Sequence, residues 1–261
     1  MNLILSTIFA FGMYFSSFSG SIDELHRKPY SPDSFRYSIV GGYTEFALPY
    51  ARFSMVHGEY TFHLFMLSSG KMAKTDAQGI VIGNVYYNGI ILSAGKTVYK
   101  DAVNALYTEP GIYLETADGW YNPGFGISAR YQRTIYNELT GEIDLRNVGF
   151  STNPKEFFDF DAVFSITYLK YGIDPFFSID VSPERKLHYY AGITLPLHSI
   201  FSASLFYTDA YKELKFGSGA DILNGLSLGM NIKTSLINLM YVADFHGEGG
   251  VSHTVQVKFS R

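Results

Sequence analysis

The chain predicts an all-β fold, an antiparallel transmembrane β-barrel of about fourteen strands, with counts of about twelve to sixteen compatible with the pattern. Three observations carry that prediction. Apolar and polar residues alternate in runs of about ten, most clearly from Phe158 to Val257, which is the period of a strand with one apolar and one polar face. Aromatic residues make up 17% of the 261 residues, with 21 Tyr and 22 Phe against a single Trp, and so can supply girdles at two membrane interfaces. An apolar stretch from Leu3 to Phe15 runs into the small residues Ser16, Ser17, Ser19, Gly20 and Ser21, the outline of an export signal.

Residues 1–21 therefore read as a signal peptide, too short to span a bilayer. Its first residues, Met1 and Asn2, carry no Lys or Arg, which leaves a buried first strand or helix as the alternative. Residues 22–33, with Lys28-Pro29-Tyr30-Ser31-Pro32, form an extended lead-in, either a plug at the barrel mouth or a simple tail. Residues 34–261 hold the barrel. Candidate strands fall at 34–42, 45–56, 59–68, 77–84, 88–97, 124–134, 141–150, 158–169, 173–182, 186–195, 200–208, 223–232, 235–245 and 251–259. In the clearest, Phe158, Phe160, Ala162, Phe164, Ile166 and Tyr168 share one face, and Asp159, Asp161, Ser165 and Thr167 the other.

An even number of strands returns both ends to the same side, and barrels of this kind have short turns there and longer loops opposite. Short turns are expected at His57-Gly58, Tyr86-Tyr87, Lys170-Tyr171, Pro196-Leu197 and Lys233-Thr234, with a longer one at Ile135–Thr140. Longer connections are expected at Ser69–Asp76, Ser151–Phe157, Asp209–Ile222 and Val98–Pro123. The last contains Leu106–Thr116, where Pro110 argues against a central strand, so the segment reads as an outer loop or lid. Were it to span, another run would have to be lost.

Formal net charge is -4 and Lys and Arg form no cluster, which argues against nucleic acid as a partner. The absence of Cys removes disulfides and thiolate metal sites from consideration. Gly225-Leu226-Ser227-Leu228-Gly229 spells a nucleophile-elbow string, but within an alternating strand rather than at a sharp strand-to-helix turn. Gly95-Lys96-Thr97 imitates the end of a phosphate loop without its upstream glycine. The seven His are scattered. No catalytic residue, cofactor or metal site is expected, although a Ser–His pair assembled from different strands would leave no trace in sequence.

The stretch Arg185 to Phe259, with Asn224-Gly225-Leu226-Ser227-Leu228-Gly229, Tyr241, Gly250 and Ser252-His253-Thr254-Val255, resembles the last strands of the PorV/PorQ group of FadL-like outer-membrane barrels. Asn147-Val148-Gly149 and Ser34–Ser68 resemble a mid-barrel strand end and the first three strands of that group. Two departures are evident. The Asn-Pro-Ala-Gly segment of that group has no match at Lys28–Ser34, and Phe259 is followed by Ser260 and Arg261 rather than ending the chain. The resemblance implies a bacterial outer-membrane protein, either a transporter of hydrophobic solutes or a component of type IX-like secretion.

Strand parity predicts the lumen. Arg130, Glu142, Asp144, Arg146, Asp159, Asp161, Lys186 and His188 are the candidate lining residues, with His63, Gln132, Asn231, Asn238 and Lys258 on the same side. Their mixed charge argues against a strongly ion-selective ring, and charges of both signs on adjacent strands suggest a cross-strand network. These groups either line water or satisfy one another. The expected function is a passive channel or transporter for small or hydrophobic solutes in outer-membrane lipid. The alternatives are a non-conducting scaffold that binds envelope or secretion proteins and a secreted soluble β-protein.

Overall fold

In a computed structural model the protein is an antiparallel sheet closed on itself. The structure describes residues 37–43, 49–75, 80–117, 119–136, 138–152, 161–168, 173–181, 187–209, 222–246 and 250–259. Among them fourteen strands follow in order: β1 (Tyr37–Tyr43), β2 (Pro49–His57), β3 (Tyr60–Thr75), β4 (Val81–Lys100), β5 (Asn104–Ala117), β6 (Trp120–Tyr136), β7 (Leu139–Ser151), β8 (Asp161–Tyr168), β9 (Asp174–Val181), β10 (His188–His198), β11 (Phe201–Thr208), β12 (Leu226–Lys233), β13 (Ile237–Phe245) and β14 (Val251–Phe259). Each pairs with its neighbours in sequence, and β1 pairs with β14 to close the ring. Closure gives every strand two partners and removes the edge that lipid cannot satisfy. The expected signal peptide and lead-in lie outside the described residues.

Burial is inverted relative to a soluble protein. Ile39, Phe53, Leu92, Ile112, Phe164, Leu205 and Met230 are exposed on the outer face, while Ser38, Ser54, Ser165, Ser178, Ser204 and Gln256 are buried on the inner one. That is the two-faced strand of a barrel in lipid, apolar outward and polar inward.

One end of the barrel carries tight turns. At the β2–β3 turn Gly58 takes φ 61°, a left-handed conformation open to a residue without Cβ. At the β4–β5 turn Asp101 Oδ1 accepts from the backbone N–H of Val103 at 2.8 Å and of Asn104 at 2.7 Å, a side chain mimicking a backbone turn. Asn104 Nδ2 and the Tyr99 hydroxyl also donate to this carboxylate. These donors hold the Asp101 carboxyl well below its usual range. At β12–β13, Thr234 Oγ1 accepts from Ile237 N–H at 3.0 Å. The chain ends of the ring, Tyr37 and Phe259, are paired at this same end. The opposite, loop end carries the connections after β1, β3, β7, β9 and β11.

Two sequence expectations are corrected here. No turn exists at Tyr86-Tyr87: β4 runs unbroken for 20 residues, with Tyr86 exposed outside and Tyr87 buried inside. Val98–Pro123 is not an outer loop or lid, because it holds the end of β4, all of β5 and the start of β6. Pro110 sits in a central strand: it stays in register with Ile127 on β6, while the β4–β5 ladder has a gap between Ser93↔Gly111 and Lys96↔Thr108, where a residue without an N–H donor is tolerated. The two errors offset each other, so the expected number of strands stands with different staves. Smaller shifts also occur: β10 continues through Pro196 and Leu197 to His198, and β3 continues through Ser69 to Thr75.

The ring is uneven in height. β3, β4, β5 and β6 have 16, 20, 14 and 17 residues, whereas β11 and β12 across the ring have 8 each. Since about 9–11 tilted residues cross a bilayer, the taller staves stand proud of it on one side.

Candidate functional site in the lumen

The inward faces of β2 to β7 carry a band of charge at mid-depth. On β2 and β3, Ser54 Oγ lies 2.7 Å and Arg52 Nη2 3.3 Å from His63 Nδ1. His63 Nε2 faces Glu109 Oε2 on β5 at 3.8 Å, and the same carboxylate accepts from Ser93 Oγ on β4 and, at 3.1 Å, from the Tyr107 hydroxyl. On the next strands, Arg130 Nη2 donates to Asp144 Oδ2 at 3.0 Å and Arg130 Nε faces Glu142 Oε1 at 3.3 Å. Arg146 Nε donates to the same Asp144 oxygen at 2.8 Å. Glu142, Asp144 and Arg146 are buried. Charges withdrawn from water in this way persist only when paired and hydrogen-bonded.

Of the residues proposed from sequence, Arg130, Glu142, Asp144 and Arg146 are brought together in that band. Asp161 opens β8 in register with Arg146, and His188 opens β10 in register with Asp180. Asp159 and Lys186 lie outside the described residues. Sequence reasoning missed Glu109 and Glu115, because both sit in the segment read as a loop. It also missed Arg52, Ser54 and Ser93. With 106–116 taken as a strand, Tyr107, Glu109, Tyr113 and Glu115 fall on one face by parity alone.

Across from this band, Ser165, Ser178, Ser204 and Gln256 are buried on the inner face, and Asp244 on β13 is bonded to Ser227 and Ser252. Apolar inward side chains form one contiguous cluster. Trp120 opens β6 and Ala117 closes β5 at the loop end; Tyr87, Leu67 and Tyr50 continue it on β4, β3 and β2. Val40 on β1 and Val242 and Met240 on β13 carry it to mid-depth. Phe206 on β11 and Phe176, near the short-turn end of β9, complete it. Along this path Phe65, Trp120 and Phe176 are only partly buried.

Inward glycines let these rings lie flat. The Tyr50 side chain crosses Gly42 to reach Thr254 Oγ1 at 2.5 Å. Phe176 and Phe206, with ring centroids 5.4 Å apart, flank Gly192. Tyr107 lies over Gly95 and Tyr113 over Gly124. Higher up, Glu115 accepts from the Tyr87 hydroxyl at 3.1 Å and from Asn122 Nδ2 at 3.3 Å.

The elbow-like string does not form an elbow. Gly225 belongs to the turn before β12, and Ser227 lies within the strand, buried and bonded to Asp244. Among the described residues no group of three or more His, Asp or Glu is placed to hold a metal ion.

No family model matches the chain, and no curated protein does. Solved structures do. A TodX deltaS2S3 mutant monoaromatic hydrocarbon channel superposes with a TM-score of 0.52 at 8% identity, covering 92% of this chain and 93% of that one. The TodX deltaS2 mutant gives 0.50 at 7% identity, covering 88% and 89%; TodX is the toluene transporter of Pseudomonas putida. The Acinetobacter baumannii outer membrane protein Omp33 gives a TM-score of 0.48 at 8% identity, covering 88% of this chain and 100% of that one. The fold is that of an outer-membrane β-barrel.

Proposed function

We propose that the protein is a passive channel or transporter for small or hydrophobic solutes in a bacterial outer membrane. The observation that carries this reading is the closed ring with an apolar exterior and a polar interior. Such a wall suits lipid outside and a solute path inside. The short-turn end then faces the periplasm and the taller staves face outward. Residues 1–21 act as the export signal and 22–33 as a lead-in at the periplasmic mouth, and the band around Arg130 and Asp144 lines the path. The chain is not an enzyme in this reading, since the solved barrels it resembles in fold are channels.

A second reading has its own observation. The bonded Arg130–Glu142–Asp144–Arg146 group and the apolar cluster, which draws on β4 and β11 from opposite sides of the ring, suit a filled barrel that serves as a scaffold, as in the PorV-like secretion role. Ion current through the purified protein in planar bilayers, together with solute release from vesicles, separates the two. Discrete current steps or release are expected. Silence in both assays, with envelope proteins recovered under mild extraction, would favour the scaffold.

A further inference from the structure

The outer wall is notched where β4 meets β5. Across β2 to β6 the register aligns the outward side chains in rows. One row, formed by Phe53, Leu64, Leu92, Ile112 and Phe125, is bulky from end to end. The next row towards the short-turn end begins with Met55 and Phe62 and ends with Ile127, but Ala94 and Pro110 stand at its centre. These two small residues fall at the gap in the β4–β5 ladder. The result is a groove of about 400 Å³ on the lipid-facing surface, with Ala94, Pro110 and Gly111 at its floor. Phe53 and Phe62 border it on one side, and Ile112 and Phe125 on the other. The inward residues His63 and Ser93 also border it, so the groove reaches the level of the inner side chains.

Its place on the barrel decides what covers it. One outward row further towards the short-turn end, Lys96 Nζ lies 2.8 Å from Glu59 Oε2 and 5.1 Å from the centre of the Tyr60 ring. A charged pair beside a tyrosine on a lipid-facing wall marks the water interface, where long side chains reach headgroups and aromatic girdles sit. The groove opens two strand residues, about 7 Å, above that line, and there the surrounding medium is acyl chain. A smooth wall touches such a chain along one side, whereas a groove touches it on three. Dispersion contacts are small singly and add along a chain, and in lipid it is packing rather than escape from water that holds apolar partners together. Pro110 has no N–H with which to complete the ladder, so a chain seated here covers the place that the backbone leaves open.

We infer that the groove at Ala94 and Pro110 holds an acyl chain of a phospholipid from the leaflet on the short-turn side, and that this bound lipid completes the wall. The inference goes beyond the channel reading and stands whether or not the lumen conducts. The test is native mass spectrometry of the full-length protein extracted from membranes in mild detergent. The parent is expected to carry a phospholipid that survives detergent exchange. Ala94→Phe and Pro110→Ile each fill the groove from the lipid side and are expected to lower the lipid-bound fraction by about fivefold or more, through loss of packing along the chain. Ala203→Phe, outward beside Met230 on the far side of the ring, should retain lipid like the parent. Electrophoretic mobility with and without heating verifies that each variant has folded, and two independent fillings keep the test open if one does not. A parent free of lipid, or lipid retained undiminished in both filled variants, overturns the inference. So does a parent dimer that both fillings convert to monomer, since the groove would then seat a second copy of the chain.

Discussion

His246 shows what burial at the barrel rim does to a single group. It follows β13 in the loop-end turn, its side chain is fully buried, and Nε2 shares a 2.9 Å hydrogen bond with Ser252 Oγ. Burial disfavours the imidazolium and pushes its pKa down to about 4, against about 6.5 for a free His. Because the folded value is depressed, the unfolded chain binds the proton first. The stabilisation is therefore complete above about pH 6.5 and is lost as pH falls from there towards about 4. Unfolding free energies measured between these limits should decline by up to about 3 kcal/mol in the parent. The decline should be smaller by that part in His246→Gln. Nothing in the sequence marked this residue, since its depth depends on how Phe245 and Val251 bring the two strands together across the turn.

Individual strands show why some elements were legible and others were not. β8 was plain because Phe164 and Ile166 face lipid while Ser165 and Thr167 face inward, an alternation that a hydropathy pattern reports directly. β5 was obscured because its inward face includes Tyr107 and Tyr113, so both faces look apolar. Those rings are accommodated by Gly95 and Gly124 on the strands beside them, a long-range fact that periodicity cannot express. The clue within the segment was Asp118-Gly119, a two-residue hairpin signature. Gly119 indeed takes φ 80° between β5 and β6. In β4, Asn88-Gly89 carries the same signature without turning, because pairing with β3 and β5 holds it extended. Glycines under rings also yield a prediction. A Cβ on Gly42 would stand 2.2 Å from the His253 carbonyl oxygen and 2.9 Å from the Tyr50 hydroxyl, at the seam where β1 meets β14. Gly42→Val should destabilise the barrel by about 1–3 kcal/mol, read as a lower denaturant midpoint. An unchanged midpoint would show that the seam has room to move.

At the scale of the whole molecule, the corrected place of residues 98–123 changes what their removal should do. Excising an outer loop would leave the ring intact. Excising this segment takes out β5 with the ends of its two neighbours, so the remaining strands cannot alternate and close. The shortened chain should lose the compact, heat-sensitive electrophoretic form altogether, and a folded band of normal mobility would show that another segment can replace the stave. The lumen was less legible than the ring. Parity grouped Arg130, Glu142, Asp144 and Arg146 on one face, but the winding order of the rings follows from register between strands, which the hydropathy of single strands does not encode.

The seam between β1 and β14 joins Ser38 to Gln256, whose side chains meet at 3.4 Å although they lie 218 positions apart. Until Val251–Phe259 has been synthesised and delivered, β1 and β13 each present a bare row of donors and acceptors, and the apolar outer face has no lipid to meet. Contacts so distant along the chain also form slowly. The polypeptide must therefore travel as an unfinished, sticky sheet, and its survival in transit depends on being held apart from its own copies until its last nine-residue strand arrives.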